Sequence, residues 1–353
     1  MIKSSLNKRK AGLIKLGEIF DLVSNDKNWP GFTIGINEEE YNNFNNLLGS
    51  VHHHNGWFSV SMVKYMLNGW SKLLKQEKLD LWLSNYTINN IDSSKTIAII
   101  CAGNIPMVGF HDFLCVYLIG NPLKLKLSSD DNVLIPAVID LLSKFDIDIH
   151  DQIDLVKEKL SDFDAVIATG SNNTSRYFYE YFGKYPHIIR KSRTSIAVLN
   201  GNESEEDLER LSDDVFLFYG LGCRNVTKLF LPKGFDINRV FKGFYSKKEV
   251  ISNNKYANNY DYYKAIFLLE KHELIENGFI ILKEDSSLFS PIGTLYYEFY
   301  DDLNKLEELI KESSEDIQCR VGHNGLSFGK AQQPELWDYA DNIDTIEFLI
   351  NLK

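Results

Sequence analysis

The spacing of apolar positions divides the chain into a helical opening followed by two stretches of alternating strand and helix. In "FSVSMVKYMLNGWSKLL", Val60, Val63, Leu67, Trp70 and Leu74 recur at intervals of three and four, so they share one helix face. "INEEEYNNFNNLLG" opens with Asn37 and carries Glu40 three residues on, the pattern of a reciprocal helix cap. The first ninety or so residues read mainly as helix.

The period then changes. "TIAIICAG" is an unbroken apolar run, as expected of a strand buried on both faces. Pro106 suits a first helical position and predicts a helix through "VGFHDFLCVYLIG". "NPLKLKLSS" reads as a strand, with Lys124 taken to face away from Lys126. "NVLIPAVIDLLSKF" reads as a helix kinked at Pro136. "FDAVIATGS" is a buried strand running into Gly170, Ser171 and the helix "NTSRYFYEYFG". This rhythm implies a parallel sheet with helices on both faces. After "TSIAVLNG" a second set follows: helix "SEEDLERLSDDVFLFYG", a loop with Cys223, strands "TKLFLPKG", "GFIILKED" and "GTLYYEFYDD", and helix "LNKLEELIKESS". The reading is two α/β lobes joined near residue 195.

The 353 residues carry 38 basic and 49 acidic side chains, a net charge of -11, which disfavours nucleic-acid partners. No apolar run is long enough to span a membrane, and "MIKSSLNKRKAGLIKLGEIF" has no signal-peptide core. A cytoplasmic location is expected. The four cysteines lack zinc spacing. Cys101 and Cys115 sit in apolar runs and read as core thiols, and Cys319 in "DIQCRVGH" reads as structural; only Cys223 follows two glycines, in "GLGC". His52, His53 and His54 are adjacent and do not converge on one ion without other ligands, so no metal site is assigned. His323 reads as a turn residue.

The order of short motifs is more informative. "AGNIP", "LIGNPLKLKLSS", "ATGS", "GLGC" and "SLFSPIGTLYYEFYDD" follow one another, and this series resembles the aldehyde dehydrogenase superfamily. More narrowly it is similar to the acyl-CoA reductase family, which includes the reductase of bacterial luminescence fatty-acid reductase complexes. The resemblance implies an aldehyde-dehydrogenase-like α/β fold: an N-terminal helical segment (1–90), an NADP-binding lobe (90–195) and a catalytic lobe (196–335). The tail 336–353 is then a candidate for oligomerisation. Cys223 takes the position of the nucleophile and Asn104 that of the oxyanion-hole amide. Lys126, Ser128, Ser129, Gly170, Ser171 and Phe289 fall in the cofactor-binding motifs. Ser129 stands where many NAD-using relatives have a carboxylate, which tilts the expectation to NADPH over NADH, with Asp130 and Asp131 as a counterweight. Ser287 stands where relatives carry a ribose-binding glutamate.

Hydrolytic relatives also have a glutamate that activates water, whereas residues 190–199, "RKSRTSIAVL", hold no acidic side chain. The resemblance thus implies reduction of an acyl-CoA to an aldehyde through an acyl-cysteine. Expected partners are the acyl thioester, an acyl-transferring protein and further copies of the chain. Acyl-phosphate reduction, aldehyde oxidation and a non-catalytic acyl-carrying role are the alternatives.

Overall fold

The computed structural model describes residues 5–88 and 94–352. The expected boundary at residue 90 lies outside the described residues. The chain forms two compact units, residues 1–191 with 335–353, and residues 192–334.

The first unit opens with α1 (Leu6–Ser24), whose Leu13, Leu16, Ile19, Phe20 and Val23 are fully buried. In α2 (Glu38–Ser50), Asn37 and Glu40 exchange side chain-to-backbone bonds, both 2.9 Å, as their spacing predicts. α3 (Val60–Leu73) buries Val63 and Leu67 and packs along α1. α4 (Gln76–Leu83) buries Trp82.

The sheet follows: β1 (Ile97–Ile100), α5 (Phe110–Ile119), β2 (Leu123–Lys126), α6 (Leu134–Leu142), α7 (Ile149–Gln152), β3 (Ile153–Leu155), β4 (Ala165–Thr169), α8 (Asn172–Phe182) and β5 (His187–Arg190). Its order is β3-β2-β1-β4-β5, with every pairing parallel. The chain lays β2 and β3 on one side of β1, then returns to lay β4 and β5 on the other. In such sheets the crevice beyond the carboxyl ends, at the point of reversal, is where ligands bind.

Three expectations are corrected here. Pro106 does not start α5, which begins at Phe110. Met107 (φ 60) and Gly109 (φ 91) turn the chain through the left-handed region first. Glycine is required at 109, because a Cβ there would lie 2.5 Å from Cys101 Sγ. Pro136 makes no kink, since it is the third residue of α6 and its missing N–H has no intrahelical partner to lose. Lys124 and Lys126 share a face: strand side chains alternate with period two, and Leu123 and Leu125 take the buried side.

The second unit runs β6 (Thr194–Val198), α9 (Glu205–Phe216), β7 (Val226–Pro232), α10 (Asn238–Phe244), α11 (Asn254–Leu269), β8 (Ile275–Glu276), β9 (Ile281–Glu284), β10 (Thr294–Tyr300), α12 (Leu303–Glu312) and β11 (Ile317–Gly322). Its sheet order is β11-β6-β7-β10-β9-β8, parallel except for β8 against β9. Ile196, Val198, Phe230 and Leu306 form a core on one face. β11 escapes the sequence reading because Gln318 and Arg320 interrupt its apolar pattern.

Residues 335–353 belong to the first unit. There α13 (Thr345–Ile350) packs on α5 and buries Ile346 and Leu349. Buried Arg190 pairs with Asp112 and donates to Thr345 Oγ1 at 3.1 Å, and Thr345 donates to Asp112 at 3.1 Å. The tail read from sequence as an oligomerisation element thus contributes to this unit's core.

Candidate active site

In the first unit, the loops "AGNIP", "SSDD" and "TGS" leave the carboxyl ends of β1, β2 and β4, which are adjacent strands. The first two pack on one another. A Cβ on Gly103 would meet Ser128 Oγ at 2.6 Å, so only glycine lets the turn before Asn104 lie against Ser128. Asn55, buried behind the exposed histidines 52–54, donates to the carbonyls of Gly103 (3.4 Å) and Asp130 (3.2 Å). Asp131 is buried and accepts the Met107 N–H at 2.7 Å. Burial pushes its carboxyl up to about 6, against the pull of that N–H.

Lys126 ends β2, and its ammonium donates to the carbonyls of Lys157 (3.4 Å) and Glu158 (2.5 Å). An ammonium has three N–H groups, so one remains for a ligand. Ser128 Oγ accepts the Asp130 N–H at 3.2 Å, and Ser129 is exposed beside it. Gly170 tucks under α8: a Cβ there would lie 2.9 Å from the Phe178 ring. Ser171 caps α8 through the Thr174 N–H at 3.2 Å, so this helix begins with its N–H groups at the sheet's carboxyl edge. The reversal point, a half-committed ammonium and a helix N-terminus together suit a dinucleotide phosphate.

In the second unit, Cys223 and Arg224 are the central residues of a turn closed by Asn225 N–H to Gly222 C=O at 3.0 Å. Cys223 is exposed, whereas Cys101 and Cys115 are buried and burial pushes both thiols up. The thiolate is the reactive form, so those two are poor nucleophiles. The approach to the turn is irregular: Phe218 (φ 53), Tyr219 (φ 57) and Gly220 (φ 79) are left-handed in succession.

Two residues that sequence reasoning passed over hold this turn. Asn225 is fully buried. Its Nδ2 donates to the carbonyls of Asp214 (3.1 Å), Val215 (3.2 Å) and Leu217 (2.8 Å), closing the end of α9, and its Oδ1 accepts the Gly222 N–H at 2.8 Å. Ser195, also fully buried, donates its hydroxyl to the Cys223 carbonyl at 3.0 Å. The Cys319 N–H donates to the same hydroxyl at 3.2 Å, and Cys319 Sγ lies 3.1 Å from it. The only signal in the sequence is position: each is a small polar residue beside an apolar strand. Asp214 ties α9 to the 329–331 loop through the N–H groups of Gly329 (2.7 Å) and Ala331 (2.8 Å), and burial pushes its carboxyl up to about 6.

The "SLFSP" loop lies at the same edge of this sheet. Thr227 of β7 donates to Leu288 O at 2.6 Å, and Phe289 is 39% exposed. Ser287 accepts the Phe289 N–H at 3.3 Å. His323 lies in the turn after β11, its N–H bonded to Val198 O at 2.9 Å.

The chain matches the acyl-CoA reductase (LuxC) family over residues 70–240, a span from α3 to α10 that includes Asn104, Lys126 and Cys223. No curated protein matches it by sequence. Among solved structures it is similar to aldehyde dehydrogenase 21 from Physcomitrella patens (13% identity, TM-score 0.63, 90% of this chain and 74% of that one). It is also similar to an indole-3-acetaldehyde dehydrogenase from P. syringae (13%, 0.64, 90% and 72%). A betaine aldehyde dehydrogenase from Staphylococcus aureus is a third (11%, 0.61, 94% and 72%). The two α/β lobes are thus those of the aldehyde dehydrogenase fold. By its family match over 70–240 the chain is similar to acyl-CoA reductases, and by its architecture to aldehyde dehydrogenases. Among the described residues no helix is long and apolar enough to cross a membrane.

Proposed function

We propose that the chain reduces an acyl-CoA to an aldehyde with NADPH through an acyl-Cys223 intermediate. The observation that carries this direction is the residue behind the nucleophile. The segment 190–199 is without a carboxylate, and one of its members, Ser195, bonds to the Cys223 peptide. A general base for water is often worth about a hundredfold or more in hydrolysis. An enzyme that must reduce its acyl-thioester gains from omitting one. The match to the acyl-CoA reductase family supports the same reading.

In this mechanism the Cys223 thiolate attacks the thioester carbonyl. The new S–C bond forms, and the bond to the coenzyme A sulfur breaks. Asn104 and the Cys223 N–H are assigned to the carbonyl oxygen, where charge develops. Lys126, Ser128, Ser129, Gly170, Ser171 and Phe289 are assigned to the cofactor, which when bound supplies hydride. The resulting thiohemiacetal releases aldehyde and restores the thiolate. NADPH is preferred because Ser129 stands where many NAD-using relatives have a carboxylate, and because Asp131 is buried against the Met107 N–H.

The second reading is aldehyde oxidation, favoured by the aldehyde dehydrogenases that share the fold. A panel of acyl-CoAs with NADPH and NADH, set beside aldehydes with NADP+ and NAD+, separates the two. Acyl-CoA-dependent loss of the reduced-nicotinamide band is expected. Steady acid formation from aldehyde, with no turnover of any acyl-CoA, would replace the proposal by the second reading.

A further inference from the structure

Resting on the reading of Cys223 as nucleophile, we infer that Ser195 and Asn225 are positioning residues that fix the two peptide planes flanking Cys223. They thereby set the direction of its N–H, the donor assigned to the oxyanion. The Gly222–Cys223 peptide is planar and trans, so its C=O and N–H point in opposite directions. Asn225 N–H holds that C=O at 3.0 Å, and Asn225 Oδ1 holds the preceding N–H of Gly222 at 2.8 Å. One residue thus grips Gly222 by both backbone groups, and the Cys223 N–H is turned to the far side of the turn. The next plane, Cys223–Arg224, is held through its carbonyl by Ser195 at 3.0 Å.

The grip is directional because its members are saturated. Asn225 uses Nδ2 on the carbonyls of 214, 215 and 217 and Oδ1 on Gly222. The Ser195 hydroxyl has one proton. With that proton given to Cys223 O, its oxygen accepts the Cys319 N–H (3.2 Å) and the Cys319 S–H (3.1 Å). Both residues are fully buried, so water cannot substitute for either. Neither bond touches the cysteine sulfur. The clamp therefore acts on the donor geometry of the peptide, where a displacement of about 1 Å costs on the order of a hundredfold in rate.

The test separates acyl transfer from thiol reactivity. Wild type, Ser195→Ala, Ser195→Thr and Cys319→Ala are compared in three measurements on the full chain. These are Cys223 acylation by an acyl-CoA and by a p-nitrophenyl ester, alkylation of Cys223 by iodoacetamide (a displacement with no oxyanion), and thermal unfolding. Ser195→Ala should slow acylation by about 10- to 100-fold through kcat rather than KM. Its alkylation rate should stay within about threefold. Cys319→Ala, which keeps the Ser195 hydroxyl, should acylate within about threefold of wild type. If Ser195→Ala does not fold, Ser195→Thr carries the comparison, with acylation near wild type expected.

Equal losses of acylation and alkylation in the serine variant would overturn the inference, as would a Cys319→Ala defect as large as that of Ser195→Ala. Acylation unchanged in Ser195→Ala would overturn it while leaving Cys223 as nucleophile. Wild type that forms no Cys223 adduct with either acyl donor would remove the nucleophile reading itself, and the clamp's role with it.

Discussion

The carboxyl edge of the first sheet and the amino edge of the second use polar residues in opposite ways. At the first edge, Lys126, Ser128, Ser129 and Ser171 are at least partly exposed, and Lys126, Ser128 and Ser171 bond to backbone groups. At the second, Ser195, Asn225 and Asp214 are fully buried and are satisfied by backbone groups of β11, α9, the Cys223 turn and the 329–331 loop. A surface that binds a detachable ligand needs groups with spare hydrogen-bonding capacity. A turn that presents one reactive atom needs a saturated foundation, because a buried donor or acceptor without a partner costs about 1–3 kcal/mol.

That contrast can be broken at either end. The largest effect expected is from Cys223→Ser, with acyl-enzyme formation falling by about a thousandfold or more, read by mass of the adduct. Cys115→Ala should leave acylation within about threefold, since its thiol is buried and pushed up. Asn104→Ala should slow acylation by about 100- to 1000-fold with iodoacetamide reactivity retained, the mark of a lost oxyanion donor.

Asn225→Ala tests the foundation directly. It strips the partners from four backbone groups and should cost about 2–4 kcal/mol in urea unfolding. Ser171→Ala, at the exposed edge, removes a single cap bond and should cost about 1 kcal/mol. Equal losses at the two positions would erase the distinction drawn here.

Acidity adds a smaller effect. Asp131 and Asp214 both have carboxyls raised to about 6 by burial, above the usual range near 4. The native chain therefore keeps protons that the unfolded chain has already released. Their contribution to stability is greatest below about pH 4 and is lost as pH rises through about 6. Asp131→Asn should flatten the decline of the urea midpoint over that window; an unchanged slope would show that Asp131 titrates as an ordinary carboxyl.

Much of the fold was legible in the chain. Buried parallel strands are continuous apolar runs, and "TIAII", "DAVIAT" and "SIAVL" announce themselves. The cap pair Asn37 and Glu40 is local and needs no tertiary context. Strands β3, β5, β8 and β11 were not legible, being short or, in β11, interrupted by polar residues, and their pairing comes from neighbours distant in sequence. The left-handed turn that delays α5 to Phe110 depends on the Met107 N–H finding Asp131 24 residues away.

The amino-acid order by itself determined the class of architecture, the motif series and the place of Cys223 as the thiol that follows two glycines, because each rests on local pattern. The tertiary structure alone decided what stands behind that cysteine. Ser195 lies 28 residues from Cys223 and Cys319 124 from Ser195, and they meet because β6 lies between β7 and β11. A hydrogen bond across a sheet leaves no periodicity in the chain, since it is set by which strands become neighbours.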